Sequence, residues 1–209
     1  VFGDITIRVP MIGLFNVYNI LATITLARAL DIPFATIDKA LRSIEKIAGR
    51  VEIFTSPKGA EKNITAVVDY AHTPDSLEKL YQAFPDVTKI CILGNTGGGR
   101  DTWKRPEMGE IADRYCDQII LTNEDPYDEN PRDIVDQMSN GIKNKNKLEI
   151  IMDRREAIRV AFERAPEGSF VLISGKGTDP YIMGPNDTKT PWSDAEVVQE
   201  ELTRLPLTK

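Results

Sequence analysis

The sequence is poor in the residues that most often carry chemistry. It holds one histidine, His72, and two separated cysteines, Cys91 and Cys116, too few for a Cys/His zinc site. Each cysteine lies beside an apolar, strand-like run, so buried free thiols in a reducing compartment are expected. No apolar run approaches the ~18 residues of a membrane-spanning helix, and Val1 to Pro10 lack the charged start and apolar core of a secretory signal. Nor is there an excess of cations: the net charge of −6 argues against non-specific nucleic-acid binding as the main task. Internal repeats and low-complexity tracts are missing, and so is an initiator methionine, which points to a chain that begins mid-protein. A cytoplasmic, monomeric protein without a nucleic-acid or membrane partner is the expectation.

What remains is the composition of an ordinary globular chain, 41% hydrophobic and 28% charged over 209 residues, enough for one domain or one domain plus a fragment. Ile5 to Val9 alternates like a short strand, Leu14 to Leu30 and Phe34 to Ile44 read as helices, and Gly49-Arg50 marks a break taken as a domain boundary. Beyond it strand-like and helix-like segments alternate. Strands are expected at Val51–Thr55, Ile64–Asp69, Lys89–Leu93, Gln118–Leu121, Leu148–Met152 and Phe170–Ser174. Helices are expected at Pro74–Ala83, Pro106–Tyr115, Pro131–Lys143, Arg154–Arg164 and Asp194–Thr203. Such alternation, with strands apolar on both faces, predicts a doubly wound, mostly parallel α/β sheet, whose ligands sit at the carboxyl ends of its strands.

Those ends carry most of the polar, chemistry-bearing residues. Asp69-Tyr70-Ala71-His72 follows one strand, and a carboxylate there suits ribose hydroxyls. His72 reads as a structural or ligand-contacting histidine, for no partnered nucleophile stands near it in sequence. Gly94-Asn95-Thr96-Gly97-Gly98-Gly99 follows the next, succeeded by Arg100, Lys104 and Arg105. It is neither a Walker A loop nor a dinucleotide fingerprint, so a ligand-lining loop and a tight βα turn stay open; the cationic cluster favours an anionic or carboxylate ligand. Glu124-Asp125-Pro126-Tyr127-Asp128-Glu129 is an acidic loop, suited to a metal, to an ammonium or to a solvated turn. Gly175-Lys176-Gly177-Thr178-Asp179 leaves its backbone free to approach a substrate. Near the start, Asn16 and Asn19 share one helix face, where a cap or a paired amide reading of adenine are the options.

Taken together, G-L-F-N-V-Y-N, G-R-V-E, V-D-Y-A-H-T-P-D-S-L-E, G-G-G-R-D-T-W-K-R-P-E-M-G, D-R-R-E-A-I and G-K-G resemble, in order and spacing, the Mur ligases. These are ATP-dependent amide-forming enzymes of peptidoglycan synthesis, and the MurE type, the UDP-N-acetylmuramoyl-tripeptide synthetases, is the nearest pattern. The resemblance covers essentially the whole chain. It implies that residues 1–48 end a central ATPase domain and that residues 49–209 form a C-terminal Rossmann-like domain. The P-loop, the UDP-sugar-binding domain and most ligands of Mg2+ would then lie upstream, leaving no catalytic or metal-holding residue in this part, which alone would be inactive.

The same resemblance implies that Asn16, Asn19, Arg50, Asp69 and His72 contact ATP. It implies that Arg100, Glu124, Asp125, Pro126, Tyr127, Gly175 and Asp179 meet the incoming diamino acid. The implied partners are ATP, a diamino acid and the UDP-N-acetylmuramoyl dipeptide, whose glutamate carboxylate is phosphorylated and then attacked by the amine. Two departures stand out: the family's D-N-P-R is Glu124-Asp125-Pro126-Tyr127 here, and its G-K-G-H-E ends in Thr178-Asp179. Loss of that arginine leaves no bidentate partner for a distal carboxylate, so lysine or ornithine is expected over meso-diaminopimelate. The rival readings are a non-catalytic binding fragment and a related ligase of the folylpolyglutamate or cyanophycin synthetase type.

Overall fold

A computed structural model describes residues 6–99 and 101–208, and divides the chain into two compact units, Val1–Ile47 and Ala48–Lys209. The first unit contains α1 (Leu14–Ala29) and α2 (Phe34–Arg42). Gly13, at φ 95, turns the chain into α1, and Pro33 stands at the N-cap of α2 with its fixed φ already suited to a helix start. α2 is amphipathic, with Ile37 and Leu41 on its buried face. Of the strand expected at Ile5–Val9, Ile5 lies outside the described residues and Thr6 to Val9 are in no strand.

The second unit is a six-stranded sheet in the order β1-β2-β6-β3-β4-β5. Its strands are β1 (Glu52–Thr55), β2 (Thr65–Asp69), β3 (Lys89–Leu93), β4 (Gln118–Leu121), β5 (Leu148–Ile150) and β6 (Phe170–Ser174). All neighbours pair in parallel except β1, which runs antiparallel to β2 at one edge. The helices are α3 (Pro74–Gln82), α4 (Lys104–Tyr115), α5 (Pro131–Ser139), α6 (Arg154–Arg164) and α7 (Asp194–Thr203). Because successive β2, β3, β4 and β5 step one way across the sheet, right-handed crossovers place α3, α4 and α5 on one face. The chain then returns through α6 to β6, between β2 and β3, so α6 and α7 cover the other face.

Each face has its own core. Leu77, Tyr81, Met108, Ile111, Val135 and Met138 pack on Val67, Leu93 and Leu121. Across the sheet, Ala157, Ile158, Phe162, Val198 and Leu202 pack on Val68, Ile92 and Ile173. Burial on both faces explains why β3 reads as an unbroken apolar run.

Some segments depart from expectation. α4 starts two residues before Pro106, and α5 ends at Ser139, four residues early. Gly141 follows α5 where any side chain would strike Pro106 O of α4, and Gly109 meets Met138 O in the same way. This backbone-to-backbone contact needs a turn rather than more helix. A two-stranded antiparallel hairpin, β7 (Tyr181–Met183) and β8 (Lys189–Pro191), was not expected, its three-residue strands being too short to show a period. Cys91 and Cys116 are buried, yet they are not free thiols: a disulfide joins them. The β3–α4 crossover returns Cys116, at the C-cap of α4, to the strand that carries Cys91, with Cα atoms 6.1 Å apart. The reducing compartment inferred from free thiols loses that support.

Candidate functional site

Four neighbouring strands end level with one another. Asp69 of β2 pairs with Ser174 of β6, Ile92 of β3 with Ile173, and Leu93 with Leu121 of β4. Their loops enclose a cleft of about 300 Å³ where the strand order reverses, the place at which open α/β sheets bind ligands. Tyr70, His72 and Thr73 line it from the β2 end, and Thr96 and Gly97 from the β3 end. Asp101 and Lys104 border it at the start of α4, Asp125 and Tyr127 after β4, and Asp179 after β6.

The glycine loop does two jobs. A methyl group at Gly94 would meet Thr122 O and Glu124, and one at Gly97 would run into Pro126 O; Gly97 N also donates to Asp125 O at 2.7 Å. These two glycines therefore let the β3 loop lie against the β4 loop. Gly98 and Gly99, at φ 78 and 71, supply the left-handed turn; neither is crowded, Gly98 having only the Tyr127 ring at contact distance. Arg105, expected to face an anion, does not. It is fully buried, and its guanidinium donates to Glu129, Gln137, Asn95 Oδ1 and Thr96 O. Glu129 in turn accepts from Gly99 N, so Arg105 braces the loop from beneath; that hydrogen bonding holds the Glu129 carboxyl below the usual range.

The acidic loop is no solvated turn. Asp125 is buried, and both its oxygens accept from Lys176 Nζ, at 2.9 and 2.8 Å, while Oδ1 also accepts from Met183 N of β7. Lys176 is itself fully buried and reaches Asp179 at 3.3 Å. The β4 loop, the β6 loop and the hairpin are thus locked through one ion pair. Glu124 is 3% exposed; Thr96 Oγ1 donates to its Oε1, while Oε2 has no hydrogen-bond partner. Gly175, at φ 108, brings its Cα against that oxygen, where any larger residue would collide. Burial pushes the Glu124 carboxyl up to about 7 despite the attraction of nearby Arg154. Arg154 is held by Asp194, at 2.8 and 2.7 Å, and by Ser174 O.

On the β2 side, Asp69 uses both oxygens locally. Oδ2 accepts from Val51 N at 2.7 Å and Oδ1 from Ala71 N at 2.8 Å. Burial raises its carboxyl above the usual range, and these hydrogen bonds oppose the rise. Val51 sits at φ 48, costly for a β-branched residue, and the Asp69 bond holds it there. Gly49 has φ 61, and a side chain on it would strike the Gly177–Thr178 backbone. Arg50 lies 4.6 Å over the Tyr70 ring, which meets His72 edge-on at 4.7 Å. His72 Nδ1 faces Tyr70 O at 2.8 Å. A carbonyl only accepts, so Nδ1 carries the proton and Nε2 of the neutral ring is an acceptor.

Among the expected site residues, Asp69, His72, Glu124, Asp125, Pro126, Tyr127, Gly175 and Asp179 gather at these loops, with Arg50 stacked beside them. Arg100 lies outside the described residues. Asn16 and Asn19 are in the other unit, where Asn19 Nδ2 donates to Asn16 Oδ1 and Asn16 Nδ2 to Ile12 O. Tyr70 and Thr96 line the cleft without having been singled out for it, and Lys104, one of the three cations expected near an anionic ligand, lines it too; Lys104 differs from its neighbour Arg105 by helical phase, which spacing alone does not resolve. No cluster of three or more His, Cys, Asp or Glu able to hold a metal occurs among the described residues, and none of their helices is long and apolar enough to cross a membrane.

Residues 49–177 match the family model of the Mur ligase, glutamate ligase domain. The chain is 39% identical, over 204 residues, to the UDP-N-acetylmuramoyl-L-alanyl-D-glutamate–2,6-diaminopimelate ligase of Oceanobacillus iheyensis, covering 96% of this chain and 40% of that one. It is 43% identical over 187 residues to the ligase of the same name from Thermosynechococcus vestitus, covering 87% and 37%. A solved structure of such a diaminopimelate ligase superposes with a TM-score of 0.69 at 29% identity, covering 96% of this chain and 40% of the other. The chain therefore spans about 40% of the length of the relatives it matches.

Proposed function

The chain belongs to the Mur ligase family, in the part that carries the glutamate ligase domain, and from that premise we propose that it is the amino-acid-binding portion of a MurE-type ligase. In this reading residues 49–209 form the C-terminal domain and residues 1–48 the end of a central ATPase domain. The whole enzyme adds a diamino acid to UDP-N-acetylmuramoyl-L-alanyl-D-glutamate in the cytoplasm, with ATP as phosphoryl donor. The observation that carries this is the cleft where four strand ends meet, lined by both charged and hydrogen-bonding side chains.

The geometry supports a division of labour. Asp69 shapes the Gly49–Val51 turn and, with Arg50, Tyr70 and His72, forms the edge offered to the nucleotide. The loops after β3, β4 and β6 form the pocket for the amino acid. Its amine attacks the acyl-phosphate of the muramoyl dipeptide and phosphate leaves, so this domain contributes positioning and electrostatics.

2,6-Diaminopimelate is the substrate named for the relatives, whereas the Tyr127 departure favours lysine or ornithine. The structure alters that second argument without removing it. Asp125 is neutralised by Lys176, and Glu124 is pushed toward its neutral form, so Asp179 carries the negative charge expected of the three. Lys176 and Arg154, the cations nearest to a replacement for the lost arginine, are both held in buried ion pairs. Competition among lysine, ornithine and meso-diaminopimelate in the full-length enzyme decides between them, with preference for a diamine lacking the second carboxylate expected. ADP formation that fails to depend on dipeptide and amino acid together refutes the ligase reading. The 209 residues alone are expected to form no amide bond.

A further inference from the structure

We propose that Lys104 binds the α-carboxylate of the incoming amino acid, an inference that rests on the ligase reading above. Lys104 is the first residue of α4, is 9% exposed and borders the cleft. Among the described residues no hydrogen bond or ion pair is formed by its ammonium, unlike the three other buried cations at the site, of which Arg154 is held by Asp194 and Ser174 O. Arg105 is saturated by Glu129, Gln137 and two oxygens of the glycine loop. Lys176 is saturated by Asp125 and Asp179. A nearly buried ammonium pays for its desolvation only when an anion or several acceptors face it, and here the open side is the cleft.

The charge of the cleft selects the anion. Asp101, Asp125 and Asp179 also line it, and Asp125 is balanced by Lys176. A polyphosphate would meet these carboxylates at close range with, among the described lining residues, one unpaired buried cation in return. A zwitterion matches both signs: its carboxylate at Lys104 and its ammonium toward Asp101 or Asp179.

The test compares wild type with Lys104→Met, Lys104→Gln and Lys104→Arg in the full-length enzyme, using lysine, ornithine and meso-diaminopimelate as probes. Lys104→Met and Lys104→Gln are expected to raise KM for the preferred amino acid about tenfold to a hundredfold, the worth of one charge-assisted hydrogen bond. KM for ATP should stay within about twofold, and Lys104→Arg should recover part of the loss. Calorimetric binding of the same amino acids without ATP gives a second readout, independent of turnover. A parallel rise in KM for ATP identifies a phosphate-holding residue and overturns the proposal, as do unchanged constants or a wild type that binds none of the three. Amino-acid binding that weakens in the variants of a protein with no ligase activity instead sinks the ligase reading and keeps the carboxylate assignment. Thermal unfolding of each variant identifies any that fail to fold, and the remaining substitution carries the comparison.

Discussion

Glu124 ties the pH dependence of stability to the geometry of the cleft. Its carboxyl group titrates near 4.5 when exposed and is pushed up to about 7 by burial. The folded state therefore holds an extra proton between about pH 4.5 and pH 7, and stability falls as pH rises through that window, levelling off above it. At about 1.4 kcal/mol for each tenfold change in proton affinity, the full loss is about 3 kcal/mol. Glu124→Gln keeps the shape and the acceptor for Thr96 Oγ1 but has no charge to form. Relative to wild type it should be roughly neutral at pH 4.5 and more stable by about 3 kcal/mol at pH 8. Urea unfolding followed by the fluorescence of Trp192, which packs against the α6–α7 core, measures this in a Trp103→Phe background across that pH range. Parallel pH profiles for the two proteins would refute the reasoning, because they would mean that Glu124 ionises in the folded state as freely as in the unfolded chain.

Arg154→Met should cost about 3–5 kcal/mol by leaving the Asp194 carboxylate buried without its partner, and adding Asp194→Leu should return part of it in the same urea assay. Asp69→Ala frees Val51 N and Ala71 N and releases the Gly49–Val51 turn; in the full-length enzyme KM for ATP should rise well before KM for the amino acid, and the reverse order would falsify the assignment of this edge to the nucleotide. Gly97→Ala must move the β3 loop off Pro126 O, costing about 1–3 kcal/mol as overpacking does, with amino-acid affinity reduced and ATP affinity retained.

Much of the fold was legible because it rests on local rules. Lys89–Leu93, Gln118–Leu121 and Phe170–Ser174 are strands at their expected bounds, since short apolar runs between turn residues admit few other solutions. Arg154–Arg164 and Asp194–Thr203 likewise begin at capping residues, Asp153 and Ser193, whose side chains accept from the first turn. That Asp69, the glycine loop, Glu124 and Asp179 share one edge followed from parallel strands, which send all their carboxyl ends the same way. Other features were settled only in three dimensions. Arg105 and Lys104 are adjacent and alike in charge, but helical phase turns one under the glycine loop and the other to the cleft. Asp125 and Lys176 are 51 residues apart, and their pairing exists because β6 inserts beside β3 and brings its loop against that of β4. Cys91 and Cys116 became a disulfide for a similar reason: the length of α4 returns its end to the strand it left. Composition and periodicity record what each segment prefers by itself; which charges neutralise one another, and which remain for a ligand, depends on distances that only the packed sheet creates.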